Sequence, residues 1–226
     1  MTHDRPPVRV LVVDDDPLVR GALSMMLSAV PGLTVTGEVA DGSHVEKAVA
    51  EHAPDVVLMD IRMPRLDGLA ATERLRARPG APEVVILTTF DADEHVLRAL
   101  RAGASGFLLK DSPPARIVEA ITRVSAGEPI LAPSVTRRLI TRLDPEPAAA
   151  RRDHAVGTLA SLTERERDVA AALGKGASNA EIARALHMSV ATVKAHVSRM
   201  LTKLGLNNRV QLALLAHDAA DAADGA

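Results

Sequence analysis

The sequence has no cysteine, tryptophan or tyrosine, and its only aromatic side chains are Phe90 and Phe107. Without cysteine there is no disulfide framework, no thiolate metal site and no thiol nucleophile. The shortage of aromatics argues against single-stranded nucleic acid, which proteins grip by stacking bases on aromatic platforms. No apolar run approaches the ~20 residues of a membrane span, and Met1–Pro7 lacks the apolar core of a signal peptide. A cytoplasmic protein with no membrane partner is expected. Neither charge sign dominates the 226 residues, with 27 Lys+Arg against 29 Asp+Glu. The balance is uneven along the chain: residues 1–143 carry 17 basic and 19 acidic side chains, whereas residues 159–217 carry 8 and 4. That length favours two domains, and the basic excess of the second weakly favours nucleic acid as its partner.

What the sequence does have is a series of short apolar runs that end in chemistry. Val56-Val57-Leu58-Met59 reads as a strand buried on both faces and runs out at Asp60. Val10–Val13 ends in Asp14-Asp15-Asp16, Val84–Leu87 in Thr88, and Phe107–Leu109 in Lys110. Leu33–Ala40 supplies a further strand, and helices alternate with the strands: one after Asp16-Pro17, one from Ser43 capped by its hydroxyl, then Asp67–Ala77, Asp93–Ala102 and Pro114–Ala126. On the first helix Leu18, Ala22, Met25 and Ala29 fall at helical spacing. Five strands alternating with helices predict an α/β fold with a doubly wound five-stranded parallel sheet, because parallel strands need crossover helices. Ligands of such sheets bind beyond the carboxyl ends of the strands, where this chain gathers carboxylates, a hydroxyl and an ammonium.

Those groups suit phosphoryl transfer. Asp60 would be the nucleophile and phosphate acceptor. A carboxylate approaching a phosphoryl dianion needs a divalent cation, and Mg2+ takes hard oxygen ligands such as Asp15 and Asp60, with Asp14 acting through water. Lys110 offers a point charge and Thr88 a hydroxyl to the phosphoryl oxygens. Taken singly, Asp16 reads as a helix cap, and a lone Thr or Lys at a strand end as turn-forming or solvated.

The motifs Val13-Asp14-Asp15, Met59–Pro64, Asp67-Gly68, Leu87-Thr88 and Gly106–Lys110 occur in the order and spacing of a known family. Residues 8–127 resemble the receiver domain of two-component response regulators. The resemblance implies a flavodoxin-like sheet, Mg2+ held by Asp15, Asp60 and the backbone carbonyl of Arg62, and phosphorylation of Asp60 by a sensor histidine kinase. It also casts Thr88 and Phe107 as a switch pair. Phe90 and Arg62, each two residues past a motif position, stand where the family controls how water reaches the phosphoryl group. A bulky Phe90 is expected to slow self-dephosphorylation.

Ser134–Leu143 predicts one more helix, and residues 144–157 read as a linker, so residues 128–158 are assigned to helix and linker. Residues 159–217 predict an all-α domain with capping boxes at Thr163–Glu166 and Ser178–Glu181. Two helices, Ser178–Leu186 and Ser189–Leu204, joined by His187-Met188, have helix-turn-helix proportions. Residues 162–216 resemble the LuxR-type helix-turn-helix, and with the receiver they look like a NarL/FixJ-family transcription regulator. The apolar face of the second helix would comprise Val190, Val193, Val197, Met200 and Leu201. Lys194, Ala195, Ser198 and Arg199 would face double-stranded promoter DNA, and Thr192, Lys203 and Arg209 would contact phosphates. The last helix is amphipathic and is either part of the core or an apolar strip for a second copy in a homodimer; RNA polymerase is a possible further partner, and residues 218–226 read as a flexible tail. A regulator rather than an enzyme is expected. Two readings stay open beside it: an aspartate-nucleophile phosphohydrolase, which would normally carry a second acid where this chain has Arg62, and a receiver that signals without phosphate.

Overall fold

The computed structural model describes residues 6–78, 80–89, 93–128 and 148–223, and the chain divides into two units, Met1–Arg138 and Leu139–Ala226. Phe90 and the helix expected at 134–143 lie outside the described residues. In the first unit, β1 (Val8–Val13), β2 (Leu33–Val39), β3 (Val56–Met59), β4 (Glu83–Thr88) and β5 (Gly106–Leu109) alternate with α1 (Pro17–Ser28), α2 (Val45–His52), α3 (Gly68–Arg76), α4 (Asp93–Arg101) and α5 (Pro114–Ser125). The strands pair in parallel in the order β2-β1-β3-β4-β5. Helical crossovers cover both faces of such a sheet, so β3 has no polar residue and all four of its side chains are buried. Ile117, Ile121 and Val124 of α5 recur at helical spacing and pack on Val10, Leu58 and Val85 of the sheet. Order reversal between β1 and β3 makes the crevice beyond their carboxyl ends the place for a ligand.

Two local expectations in this unit are corrected. Leu18, Ala22, Met25 and Ala29 do not face the core: all four are exposed, Leu18 by 81% and Met25 by 78%. The inward face of α1 is the neighbouring stripe of Leu23, Met26 and Leu27, continued by Val30 just past the helix end, whose long side chains reach the sheet where alanines would leave a void. Ser43 does not cap the second helix either. Gly42–His44 is a turn of 3-10 helix ahead of α2, and Asp41 caps it by accepting from the Ser43 N–H at 2.9 Å.

The second unit comprises α6 (Ala148–Leu159), α7 (Glu164–Gly174), α8 (Asn179–Ala185), α9 (Val190–Leu204) and α10 (Arg209–Ala223). Both capping boxes form reciprocally, Thr163 with Glu166 and Ser178 with Glu181, so each helix start satisfies its own orphan N–H groups. Gly205, at φ 66°, ends α9 in the left-handed conformation that glycine adopts without strain. Val169, Leu173, Ile182, Val193, Met200 and Leu212 meet in a fully buried core. Residues 148–157 are helical rather than an extended linker, and α10 runs to Ala223 rather than giving way to a tail at 218. Both stretches are rich in alanine, the strongest helix former, which adds no large apolar residue to reveal a period. α6 gains its stability by packing along α10, with Ala155 fully buried.

Candidate functional site

Register brings the receiver residues to one mouth. Val13 pairs with Met59 across β1 and β3, so Asp14 and Asp60, the next residue on each strand, emerge side by side. The Asp60 N–H donates to the Val13 carbonyl at 2.9 Å, and the Asp14 N–H to the Val39 carbonyl at 3.0 Å. Thr88 pairs with Leu109, and the Lys110 N–H donates to the Thr88 carbonyl at 2.8 Å. The strand pairing thus carries Lys110 over the same edge. Its Nζ lies 2.6 Å from Asp14 Oδ2 and 3.2 Å from Asp60 Oδ2. Asp14, Asp15 and Asp60 each present a carboxylate oxygen within 4.8 Å of the others. Asp14 and Asp60 are buried and Asp15 is exposed, which leaves the cluster open to solvent on one side.

Burial pushes the Asp60 carboxyl above its ordinary range; Lys110 pulls it back, and the Asp14 charge pushes it up again. Burial acts to lower the Lys110 ammonium, but its contacts with Asp14 and Asp60 outweigh that and its pKa is raised. Lys110 is therefore a fixed positive charge. Three carboxylates against one ammonium leave an excess of negative charge, the donor set that a hard divalent cation neutralises. Thr88 ends β4 beside this cluster and is buried, and Phe107 lies buried on β5. Arg62 lines an open cleft of about 440 Å³ with Asp15, Met63, Asp67 and Arg98.

The loop after Asp60 is held by residues that the motif spacing does not reveal. The Gly68 N–H donates to the Ile61 carbonyl at 2.9 Å, and a methyl group at Gly68 would lie only 1.9 Å from the Asp60 carbonyl oxygen. Only glycine permits α3 to start this close to the acceptor strand. Asp41 anchors the same loop from the β2 side: its Oδ1 accepts from the Ser43 N–H and hydroxyl, at 2.9 and 2.5 Å, and its Oδ2 from the Arg65 N–H at 3.0 Å. The Ser43 hydroxyl, with further help from both N–H groups and Arg65, holds the Asp41 carboxyl down at about 2. Arg20 donates to the Asp14 carbonyl at 2.6 Å and pairs with Glu38 at 3.4 Å, fixing the start of α1. In sequence Asp41-Gly42 carries only the signature of a turn, and a buried carboxylate at a turn leaves no pattern of its own.

In the second unit, Thr192, Ala195, Ser198 and Arg199 lie exposed on α9, and Lys194 is half-buried. Ser189 caps the helix by accepting from the Thr192 N–H at 3.0 Å. Val190 belongs to the exposed side, at 40% exposure, rather than to the apolar face, because it sits in the first turn ahead of the buried Val193 and Val197. Lys203 pairs with Glu166 at 3.2 Å, and the Thr163 N–H together with that lysine holds the Glu166 carboxyl below its usual value. Arg209 opens α10 and is half-buried. It donates to the Asn179 side chain and to the Ala177 carbonyl, tying α10 to the start of α8.

Comparison with known proteins accounts for both units. The response regulator receiver domain matches residues 10–122, and the luxR family of bacterial regulatory proteins matches residues 160–216. The chain is 37% identical to the transcriptional regulatory protein LiaR of Bacillus subtilis over 93% of its own length and 97% of that protein. It is 34% identical to the nitrate/nitrite response regulator NarL of Escherichia coli over 95% of this chain and 97% of that one. Among solved structures, the response regulator ChrA of a heme-sensing two-component system superposes with a TM-score of 0.52 at 36% identity, covering 94% of this chain and 98% of ChrA. These relatives are regulators with a DNA-binding domain, which sets aside the phosphohydrolase reading.

Proposed function

The chain belongs to the two-component response regulators that join a receiver domain to a LuxR-type DNA-binding domain, and from that premise we propose how it works as a phosphorylation-activated regulator of transcription. Asp60 is the phosphate acceptor and a sensor histidine kinase the donor. The observation that carries this is the meeting of Asp14, Asp15, Asp60 and Lys110 at the switch point of the sheet. The Asp60 carboxylate attacks the phosphorus atom in line, and the bond from phosphorus to the donor nitrogen breaks. Asp14, Asp15 and Asp60, with the Arg62 carbonyl, would hold Mg2+, which when bound neutralises charge between acceptor and phosphoryl group. Lys110 leaves its carboxylate partners to bind a phosphoryl oxygen, and the Thr88 hydroxyl binds another. Phe107 completes the switch as the buried ring on the neighbouring strand.

The receiver spans residues 8–127. The DNA-binding unit spans 159–217, with α6 packed onto it and the last turns of α10 continuing it. Promoter DNA meets α9 through Lys194, Ala195, Ser198 and Arg199, with Thr192 on a phosphate; Lys203 reaches a phosphate by exchanging Glu166 for it. Arg209 supports the unit by tying α10 to the start of α8. Phosphorylation favours a homodimer, because two helices on adjacent half-sites share the binding energy, and the bound dimer meets RNA polymerase at the promoter. No helix among the described residues is long and apolar enough to cross a membrane, and the cytoplasm is the compartment proposed.

Intact-mass spectrometry after treatment with acetyl phosphate and Mg2+ tests the acceptor. The wild type is expected to gain one acid-labile phosphoryl group and Asp60→Asn none, while Lys110→Met gains it slowly. A phosphoryl group retained by Asp60→Asn would overturn the assignment.

A further inference from the structure

Outside the acceptor cluster, Asp41 is the most deeply buried carboxylate among the described residues, at 2% exposure. Burying a charge is unfavourable unless its oxygens find donors. Asp41 has three: the Ser43 N–H and hydroxyl on Oδ1, and the Arg65 N–H on Oδ2. An ionised carboxylate accepts from all three, whereas an amide would turn its own N–H groups toward one of them. The Arg65 guanidinium adds little, because it is largely exposed and its Nε lies 3.9 Å away. What Asp41 grips is the backbone of the loop between β3 and α3.

From Ile61 to Asp67 that loop has no regular secondary structure, so no helix or ladder sets its course. Two contacts from the β2 side do. One is the Arg65–Asp41 hydrogen bond at 3.0 Å. The other is at Gly42, where an added methyl would lie 2.3 Å from the Leu66 carbonyl oxygen and 3.1 Å from Ala71 Cβ. The turn after β2 therefore lies directly against the loop, an approach that glycine permits. Arg62 stands three residues before Arg65, a span of at most about 11 Å. Mg2+ demands near-ideal octahedral geometry from its oxygen ligands, so a loop that must be ordered on binding holds the ion less tightly. We propose that Asp41 is a positioning residue for the metal site: it fixes the loop so that the Arg62 carbonyl can reach Mg2+, and thereby sets the affinity for the ion. Asp41 is not itself a ligand, since both its oxygens are engaged and the converging carboxylates are Asp14, Asp15 and Asp60. β2 steadies the other metal-bearing loop as well. Its Val39 carbonyl accepts from the Asp14 N–H at 3.0 Å, and its Glu38 holds Arg20, which donates to the Asp14 carbonyl. The inference rests on the reading of the Arg62 carbonyl as a Mg2+ ligand in the preceding section.

Calorimetric titration of the full, unphosphorylated chain with MgCl2 reads the affinity without any reaction. Asp41→Asn is expected to weaken Mg2+ binding by about 10- to 100-fold, the range found when groups supporting a metal ligand are removed. Gly42→Ala keeps every charge and pushes on Leu66, and is expected to weaken binding too, which separates position from the loss of a negative charge. Ile121→Val, a truncation in the core on α5, is expected to lower the urea midpoint and leave the Mg2+ affinity unchanged. In timed phosphorylation by acetyl phosphate, the Mg2+ concentration for half-maximal rate should rise for Asp41→Asn by the factor seen in calorimetry, and excess Mg2+ should restore the rate. If Asp41→Asn and Gly42→Ala bind Mg2+ like the wild type, or Ile121→Val weakens binding as much as they do, Asp41 does not position the site, and the metal reading stands without it. If the wild type takes up no Mg2+, the positioning role and the metal reading fall together.

Discussion

Replacing Gly68 by alanine tests how closely the loop is fastened to the acceptor strand. The new methyl would lie 1.9 Å from the Asp60 carbonyl oxygen, 2.9 Å from its carbonyl carbon and 2.9 Å from Met59 Cγ. Ordinary carbon–oxygen contacts begin at about 3.3 Å, so α3 or the end of β3 must move by more than about 1 Å, and the Gly68–Ile61 hydrogen bond of 2.9 Å is lost or stretched. Overpacking costs about 1–3 kcal/mol and the hydrogen bond about 1 kcal/mol, against about 1 kcal/mol of helix propensity that alanine returns. The net is a destabilisation of about 1–3 kcal/mol, or roughly 4–12 °C in the melting of the first unit. Because the clash falls on Asp60 itself, the rate of phosphorylation by acetyl phosphate is expected to drop about 10²-fold. Gly21→Ala, in open space on an exposed helix, should stabilise by about 0.5–1 kcal/mol. Urea unfolding and timed intact-mass measurement read both effects. A Gly68→Ala protein as stable and as readily phosphorylated as the wild type would refute the claim that close packing positions the acceptor.

Asp41→Asn probes the second anchor of that loop. The folded Asp41 carboxyl sits at about 2, below its ordinary 3.8, so its stabilisation is full above the ordinary value and is lost as pH falls through about 2. Urea midpoints of wild type and Asp41→Asn should differ at pH 7 and converge near pH 2; a constant gap would show that the charge is not the source. Arg209→Ala removes two charge-assisted hydrogen bonds and should destabilise the second unit by about 2–3 kcal/mol. The slope of DNA affinity against salt should stay unchanged, whereas a shallower slope would place Arg209 on a phosphate. Arg199→Ala should do the reverse if it neutralises a phosphate, lowering that slope by about 0.9 in log–log units while leaving the urea midpoint where it was.

The parallel sheet was legible because its strands are bare apolar runs and each ends in a functional group: Val13 gives way to Asp14, Met59 to Asp60, Leu109 to Lys110. The helix caps were legible for a related reason, since Thr163–Glu166, Ser178–Glu181 and Asp16-Pro17 state local chemistry in local sequence. What escaped depended on distant partners. Helical spacing identified an apolar stripe on α1 but could not tell which of two adjacent stripes the sheet would take. Asp41 looked like a turn residue because Arg65, its partner, lies 24 positions away. Arg209 looked like a surface cation because Asn179 and Ala177 reach it only after α8 and α10 have packed. The alanine-rich stretches 148–155 and 218–223 carry no large apolar residue by which a period could be counted. In each case the missing information was tertiary.

The central claim is that charge placed on Asp60 controls DNA binding, and fluorescence anisotropy of labelled promoter DNA tests it directly. Wild type and Asp60→Asn would be titrated at one fixed salt concentration, with and without acetyl phosphate and Mg2+. The account predicts that the phosphodonor tightens wild-type binding at least tenfold and leaves Asp60→Asn unchanged. Equal affinities for the wild type in both conditions, with the phosphoryl group verified on Asp60, would contradict it.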